Sequence, residues 1–281
     1  MTESSPHRMD DNLSQAAPRA SPPPNGRAEI RVAVIGGIAG NGFWKAVSGR
    51  FVEETGTLVT LVATGPKQVI TPYMQRGEVD LLSMHASDAI INLVADGYAA
   101  DPQPWLRNDL ILAGPPSDPA GIRGLTDAIE ALRQIVDRHA TFVVHASLGA
   151  QEVLRHVLSE GNLQLEPSRT ITLLDDKHHR VLQVAAEKGA YALIGRLPYL
   201  NGKIPSSSMQ IMVRGDARLR RPYLAVTANP RRFPHANVSA ARELVDYLRS
   251  SRTQAWIGDY GRGLLDDHPL FFRIAEEASG K

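Results

Sequence analysis

No cysteine occurs in the 281 residues, which excludes disulfides and thiolate-held metal centres and leaves the redox compartment open. No apolar run reaches the ~20 residues that a membrane-spanning helix requires, so no direct membrane insertion is expected. An excess of either charge is also missing. Lys and Arg number 31 against 30 Asp and Glu, and a net charge of +1 gives no global field to recruit nucleic acid. Residues 1–28, rich in Pro, Ser, Ala and Asn, have no apolar h-region and no twin-arginine pair. They are expected to form a disordered leader, and such a start does not read as exported.

What is present is a globular composition, 43% apolar and 22% charged, sufficient for one large domain or two lobes. From Glu29 onward β-branched runs alternate with segments of helical spacing. The runs fall at 30–36, 58–63, 79–84, 109–114, 141–146, 170–174, 190–195, 209–213 and 223–228. Phe43, Trp44, Val47, Phe51 and Val52 form one helical stripe, ended by glycine in "ETGT" (54–57). Leu125, Ile129, Leu132 and Ile135 form a second, and Ala240, Leu244, Val245 and Leu248 a third. This alternation predicts a mainly parallel α/β fold. No internal repeat is present, and "NGKIPSSS" (201–208) reads as a polar loop.

Several strand ends draw attention. "GGIAGNG" (Gly36–Gly42) follows a strand and opens a helix, where backbone N–H groups and the helix dipole favour an anion. Its spacing is neither a dinucleotide fingerprint nor a Walker A loop, and a tight strand-to-helix turn explains it equally. "VHASLGA" (144–150) has His145 where a nucleophile elbow needs its first glycine. Ser147, with Asp175 and His268 downstream, gives the chain order of a hydrolase triad, but Ser147 also reads as a helix N-cap. His85, in "SMHASDA", is a turn residue or a cleft residue. The run "DDKHHR" (175–180) places Lys177, His178, His179 and Arg180 at a helix start. Adjacent histidines there diverge, which favours an anion over a metal; a solvated loop is the bland alternative. No H-x-x-x-H or H-E-x-x-H pair occurs among nine histidines, so neither a metal nor another cofactor is expected.

The stretches "RFVEETGTLVTLVATG", "GEVDLLSMHASDA", "NDLILAGPPSDPAGIRGL", "TFVV", "AAEKGAYALIGR", "MVRGD", "VTANP" and "HPLFF" keep their order and spacing from Val32 to Phe272. Together they resemble the type II periplasmic binding proteins, specifically the tungstate-binding components of tungstate ABC transporters. The resemblance implies two α/β lobes, each a mainly parallel sheet flanked by helices, with an oxyanion held between them. The pair "LILAGPP" and "LIGRLPY" then divides the chain into lobe I, residues 29–113 plus 198–281, and lobe II, residues 114–197.

Departures from the family gather where its ligand sits. The Thr/Ser-rich turn after the first strand is here "VIGG" (34–37), and an arginine-led segment is here "HASLGAQ" (145–151), with His145 at the arginine position. A glycine-rich run is here "DDKHHRVLQ" (175–183). The expected ligand is a small anion, an oxyanion or a small carboxylate. The expected contacts are Gly36, Gly37, Thr64, His85, His145, Ala146, Ser147, Lys177, His178, His179 and Arg180. The leading expectation is a non-catalytic solute-binding protein, periplasmic and served by an ABC permease if exported. A cytoplasmic anion sensor on the same scaffold is second, and an enzyme around Ser147 third.

Overall fold

The computed structural model describes residues 28–145, 149–174 and 180–274. The leader therefore lies outside the described residues, apart from Ala28. So do Ala146, Ser147, Asp175, Asp176, Lys177, His178 and His179.

Among the described residues nine strands form one sheet: eight follow the path β2-β1-β3-β9-β4-β7-β5-β6, and β8 pairs with β4 off it. At one end β1 (Glu29–Ile35) lies parallel between β2 (Leu58–Gly65) and β3 (Leu81–His85). At the other, β5 (Phe142–His145) lies parallel between β6 (Thr170–Leu173) and β7 (Tyr191–Gly195). The strands between these triplets, β4 (Ala99–Gly114) and β9 (Arg220–Ala228), are antiparallel to their neighbours. So is β8 (Gln210–Val213) to β4. The sheet is thus parallel on its flanks and antiparallel at its centre.

Four apolar clusters cover it. Helix α2 (Phe43–Thr55), α9 (Val238–Arg249) and α10 (Ser251–Ile257) bury Phe43, Phe51, Leu244 and Ile257 with Val32 and Trp105. Helices α3 (Lys67–Gln75) and α4 (Asp88–Ala95) bury Ile70, Met74 and Ile90 with Leu82 and Val226. Beyond the centre, α5 (Ala128–Asp137) and α6 (Ala150–Glu160) bury Leu132, Ile135 and Val157 with Leu112 and Phe142. There α7 (Val181–Glu187) buries Val181, Leu182 and Ala185 with Ile111 and Ile194. The helix ends follow the sequence. Gly56 takes a left-handed conformation, φ 75°, after α2, where a side chain would be strained. Asp127 caps α5 by accepting from the N–H groups of Ile129 and Glu130, and Asn237 caps α9.

The strand β4 is longer than the apolar run 109–114 predicts. It starts at Ala99 and carries Pro102 and Pro104, which lack the N–H a ladder needs. The register with β9 shifts between Ala100 and Gln103 and again between Pro104 and Leu106. Irregularities accommodate the prolines, and pairing with β9 carries the strand through a segment that local propensity would end. Leu125 likewise precedes α5 instead of joining its helical stripe, although it still packs on the same cluster.

Candidate functional site

The register alone brings the strand ends together. His85, the last residue of β3, pairs with Tyr223 of β9, and Tyr223 pairs with Leu106 of β4. Gly195, the last residue of β7, pairs with Leu110 of β4. Since β3 and β7 both run toward this span, the carboxyl ends of the two parallel triplets meet at residues 106–110. Open α/β sheets take ligands just outside such strand ends.

On the β3 side, Ile35 leads into Gly36 and Gly37, the first residues of the short helix α1 (Gly36–Ala39). A Cβ on Gly36 would make ordinary contact with the Gly65 backbone at 3.7 Å, and one on Gly37 with the Tyr223 hydroxyl at 3.5 Å. The rings of His85 and Tyr223 lie 4.3 Å apart. Burial pushes the His85 imidazole well below its usual range, and the positive charges of Arg221 and Lys67 push the same way, so it is neutral at neutral pH. Burial pushes the Tyr223 hydroxyl up to about 12, so it remains protonated. Thr64 pairs with Val34 near the end of β2 and is exposed.

Arg221, absent from the sequence-based expectation, pairs with Asn108 across β9 and β4. Residues opposite one another in an antiparallel pair, and those two apart on a strand, share a face. Arg221, Asn108, Tyr223 and His85 therefore look the same way. The guanidinium reaches the start of α6, where a Cβ built on Gly149 would overlap Nη1 and lie 3.1 Å from Cζ. Arg221 Nε, Asn108 Oδ1 and Ser87 Oγ are buried with no hydrogen-bond partner among the described residues. Ser87 is the N-cap residue of α4, yet its side chain caps nothing. Buried polar atoms are usually satisfied, so three such atoms around one strand-end junction fit a polar ligand.

His145 ends β5 and is only 3% exposed. With Val144, Ala150, Gln151, Leu154 and Leu193 it lines a void of about 10 Å³, room for about one water. Arg180 is the residue before α7 and its side chain does not cap that helix. Of the triad order read in the sequence, only His268 is described; its Nε2 lies 3.7 Å from Asp267. His268 also borders a cavity of about 570 Å³ with Arg123, Leu125 and Arg214, and none of the strand-end residues above lines it. Among the described residues no group of His, Asp and Glu is arranged to hold a metal, and no helix is long and apolar enough to cross a membrane.

A sequence signal for Arg221 did exist. "RRPY" (220–223) puts two cations at the start of an apolar strand, where one is bound to face inward. Its significance rests on which strands lie alongside, which no local pattern encodes.

Comparison with known proteins agrees with this architecture. The tungstate-binding protein TupA of Peptoclostridium acidaminophilum is 27% identical over 221 residues, covering 75% of this chain and 74% of that protein. The solved structure of the tungstate-binding protein TupA from Desulfovibrio alaskensis G20 superimposes with a TM-score of 0.73 at 25% identity, over 89% of this chain and 100% of that one. The tungstate ABC transporter structure from Geobacter sulfurreducens gives 0.65 at 26% identity, over 83% and 98%. The type II periplasmic binding protein fold expected from the sequence is the fold observed. The family model for bacterial extracellular solute-binding proteins matches residues 30–262, and the chain belongs to that family.

Proposed function

We propose that this protein is a non-catalytic solute-binding protein of the ABC-transporter type, and that it holds a small oxyanion of the tungstate or molybdate kind. The observation that carries the reading is the convergence of both triplets' carboxyl ends on a junction where two donors, Ser87 Oγ and Arg221 Nε, are buried without partners among the described residues. Relatives named for tungstate binding support the choice of ligand class. In this reading Gly36 and Gly37 offer backbone N–H groups, Thr64 and Arg180 add polar contacts, and His85 contributes as a neutral imidazole. The other expected contacts, Ala146, Ser147, Lys177, His178 and His179, lie outside the described residues. The permease of an ABC transporter is the partner that such a protein serves.

The proposed lobe boundary follows the apolar clusters. Ile204, Met209, Met212, Val213 and Leu219 pack with the clusters of the 114–197 half, whereas Leu106 and Leu197 pack with the other. The crossovers then fall near Asp109–Leu110 on β4 and Leu219–Arg220 before β9, closer to the junction than boundaries at 114 and 198.

A thermal-shift panel of tungstate, molybdate, sulfate, phosphate, small carboxylates and divalent metals tests the assignment. Ligand at 100 times its Kd adds about 2.7 kcal/mol to stability. Tungstate or molybdate is expected to raise the Tm most. A rise with carboxylates or divalent metals alone would reject the oxyanion assignment.

A further inference from the structure

We propose that Arg221 is the cation that anchors the bound oxyanion, and that the lack of a Cβ at Gly149 leaves room for the end of its guanidinium. The inference rests on the oxyanion reading and adds a specificity-determining residue to it.

Three observations lead there. Several arginines of the chain have acidic partners: Arg31 with Asp80, Arg196 with Asp109 and Asp266, Arg218 with Asp127 and Asp216. Arg221 has no such pair among the described residues, and its Nε is buried without a hydrogen bond. Burial lowers its affinity for a proton, against the weaker opposing pull of Glu152 on α6. An arginine nevertheless remains charged, so the fold keeps a partly buried, uncompensated guanidinium at the strand ends. That arrangement is unfavourable without a counter-ion. A bound oxyanion supplies one, and the planar fork of N–H donors suits two oxygens at once.

The contact with Gly149 points the same way. Gly149 has φ −63° and ψ −5°, a right-handed conformation open to any residue. Backbone geometry therefore does not require glycine there. A Cβ there would instead force the end of the Arg221 guanidinium to shift, since it would overlap Nη1. Strand β9 thus delivers its cation to Gly149, the residue before α6.

Titration calorimetry of the full chain with sodium tungstate tests this, using wild type, Arg221→Gln, Arg221→Lys, Gly149→Ala and the double variant Gly149→Ala/Arg221→Gln. Loss of a charged hydrogen-bond donor is expected to weaken binding by about tenfold to hundredfold in Arg221→Gln. Arg221→Lys should fall between, because it keeps the charge and loses the fork. Gly149→Ala should weaken binding several-fold alone and less than twofold once Arg221 is already Gln. Without ligand, Arg221→Gln should keep or raise the Tm, because it removes an unpaired charge; a merely structural arginine would lower it. If the wild type binds neither tungstate nor the other oxyanions of the thermal-shift panel, the functional reading fails and this inference fails with it. If the wild type binds tungstate but Arg221→Gln binds as tightly, or Gly149→Ala costs the same in both backgrounds, the anchor assignment alone is overturned.

Discussion

Arg196 Nε lies 2.9 and 2.8 Å from the two carboxylate oxygens of Asp109, and the two side chains are 0% and 2% exposed. The same guanidinium donates to Asp266 through Nη1 at 2.8 Å and to the Pro269 carbonyl through Nη2 at 2.5 Å. Asp109 stands where β4 passes from pairing with β9 to pairing with β7. Arg196 thus fastens the crossing strand to the C-terminal segment. Replacing it with Met would leave Asp109 buried and uncompensated, a change that costs about 3–5 kcal/mol. Urea denaturation of Arg196→Met should show a loss of that size, and Arg196→Lys a smaller one.

His85 gives a pH prediction. Its folded-state pKa is lowered, so below about pH 6.5, the ordinary histidine value, the unfolded chain binds a proton that the folded chain refuses. The neutral imidazole therefore makes no pH-dependent contribution above that value, and stability falls as pH drops from it toward the folded pKa. A bound anion opposes the effects of Lys67 and Arg221 and raises that pKa. Affinity is then expected to be flat from pH 7 to 8 and to rise only in acid, as pH falls through the bound-state pKa. Calorimetry with His85→Gln should remove the acidic rise; an unchanged profile would assign the dependence to another group.

A second titration concerns Asp216, Arg218 and Asp127. Burial pushes the Asp216 carboxyl up, but bonds from Arg218 and from the Ala128 N–H outweigh this and hold it below its ordinary value. Asp127 is held low by the Glu130 N–H and by Arg218. Depressed carboxylates contribute stability that is present above about pH 4 and lost as pH falls through their folded pKa values. Arg218→Gln should lower stability at pH 7 by about 1–3 kcal/mol. It should also flatten the acid limb of a Tm-versus-pH curve, since part of what acid removes is already gone.

The core polar relay gives a packing test. Trp105 is fully buried and donates through Nε1 to Ser83 Oγ at 2.8 Å, and Ser83 Oγ donates to the Leu224 carbonyl at 3.0 Å. Ser83→Ala leaves the indole N–H without its acceptor, which costs about 1–3 kcal/mol. Guanidinium denaturation should register that loss with an unchanged m-value, and a change below about 0.5 kcal/mol would mean that the indole finds another acceptor.

Much of the fold was legible because period and punctuation are local. The stripes through Phe43–Phe51 and Ala240–Leu248 are helices packed on the sheet, and Gly56 ends the first of them. The strand-end glycines Gly36 and Gly37 and the strand-end His85 stand at the junction, as their place after apolar runs suggested. What the sequence could not decide depends on pairing between distant segments. The prolines of β4 argued against a strand there, yet β9, more than 100 residues later, extends it. Arg196 and Asp109 looked like ordinary polar residues beside apolar runs until strand order placed them together. Nothing local ranks Arg221 above Arg220 beside it; the register with Asn108 and the approach to Gly149 place it at the junction. Apolar periodicity specifies which face of a strand is buried. Which strand lies alongside is chosen by the summed packing of the whole chain, and the local polarity of a residue carries no record of that choice.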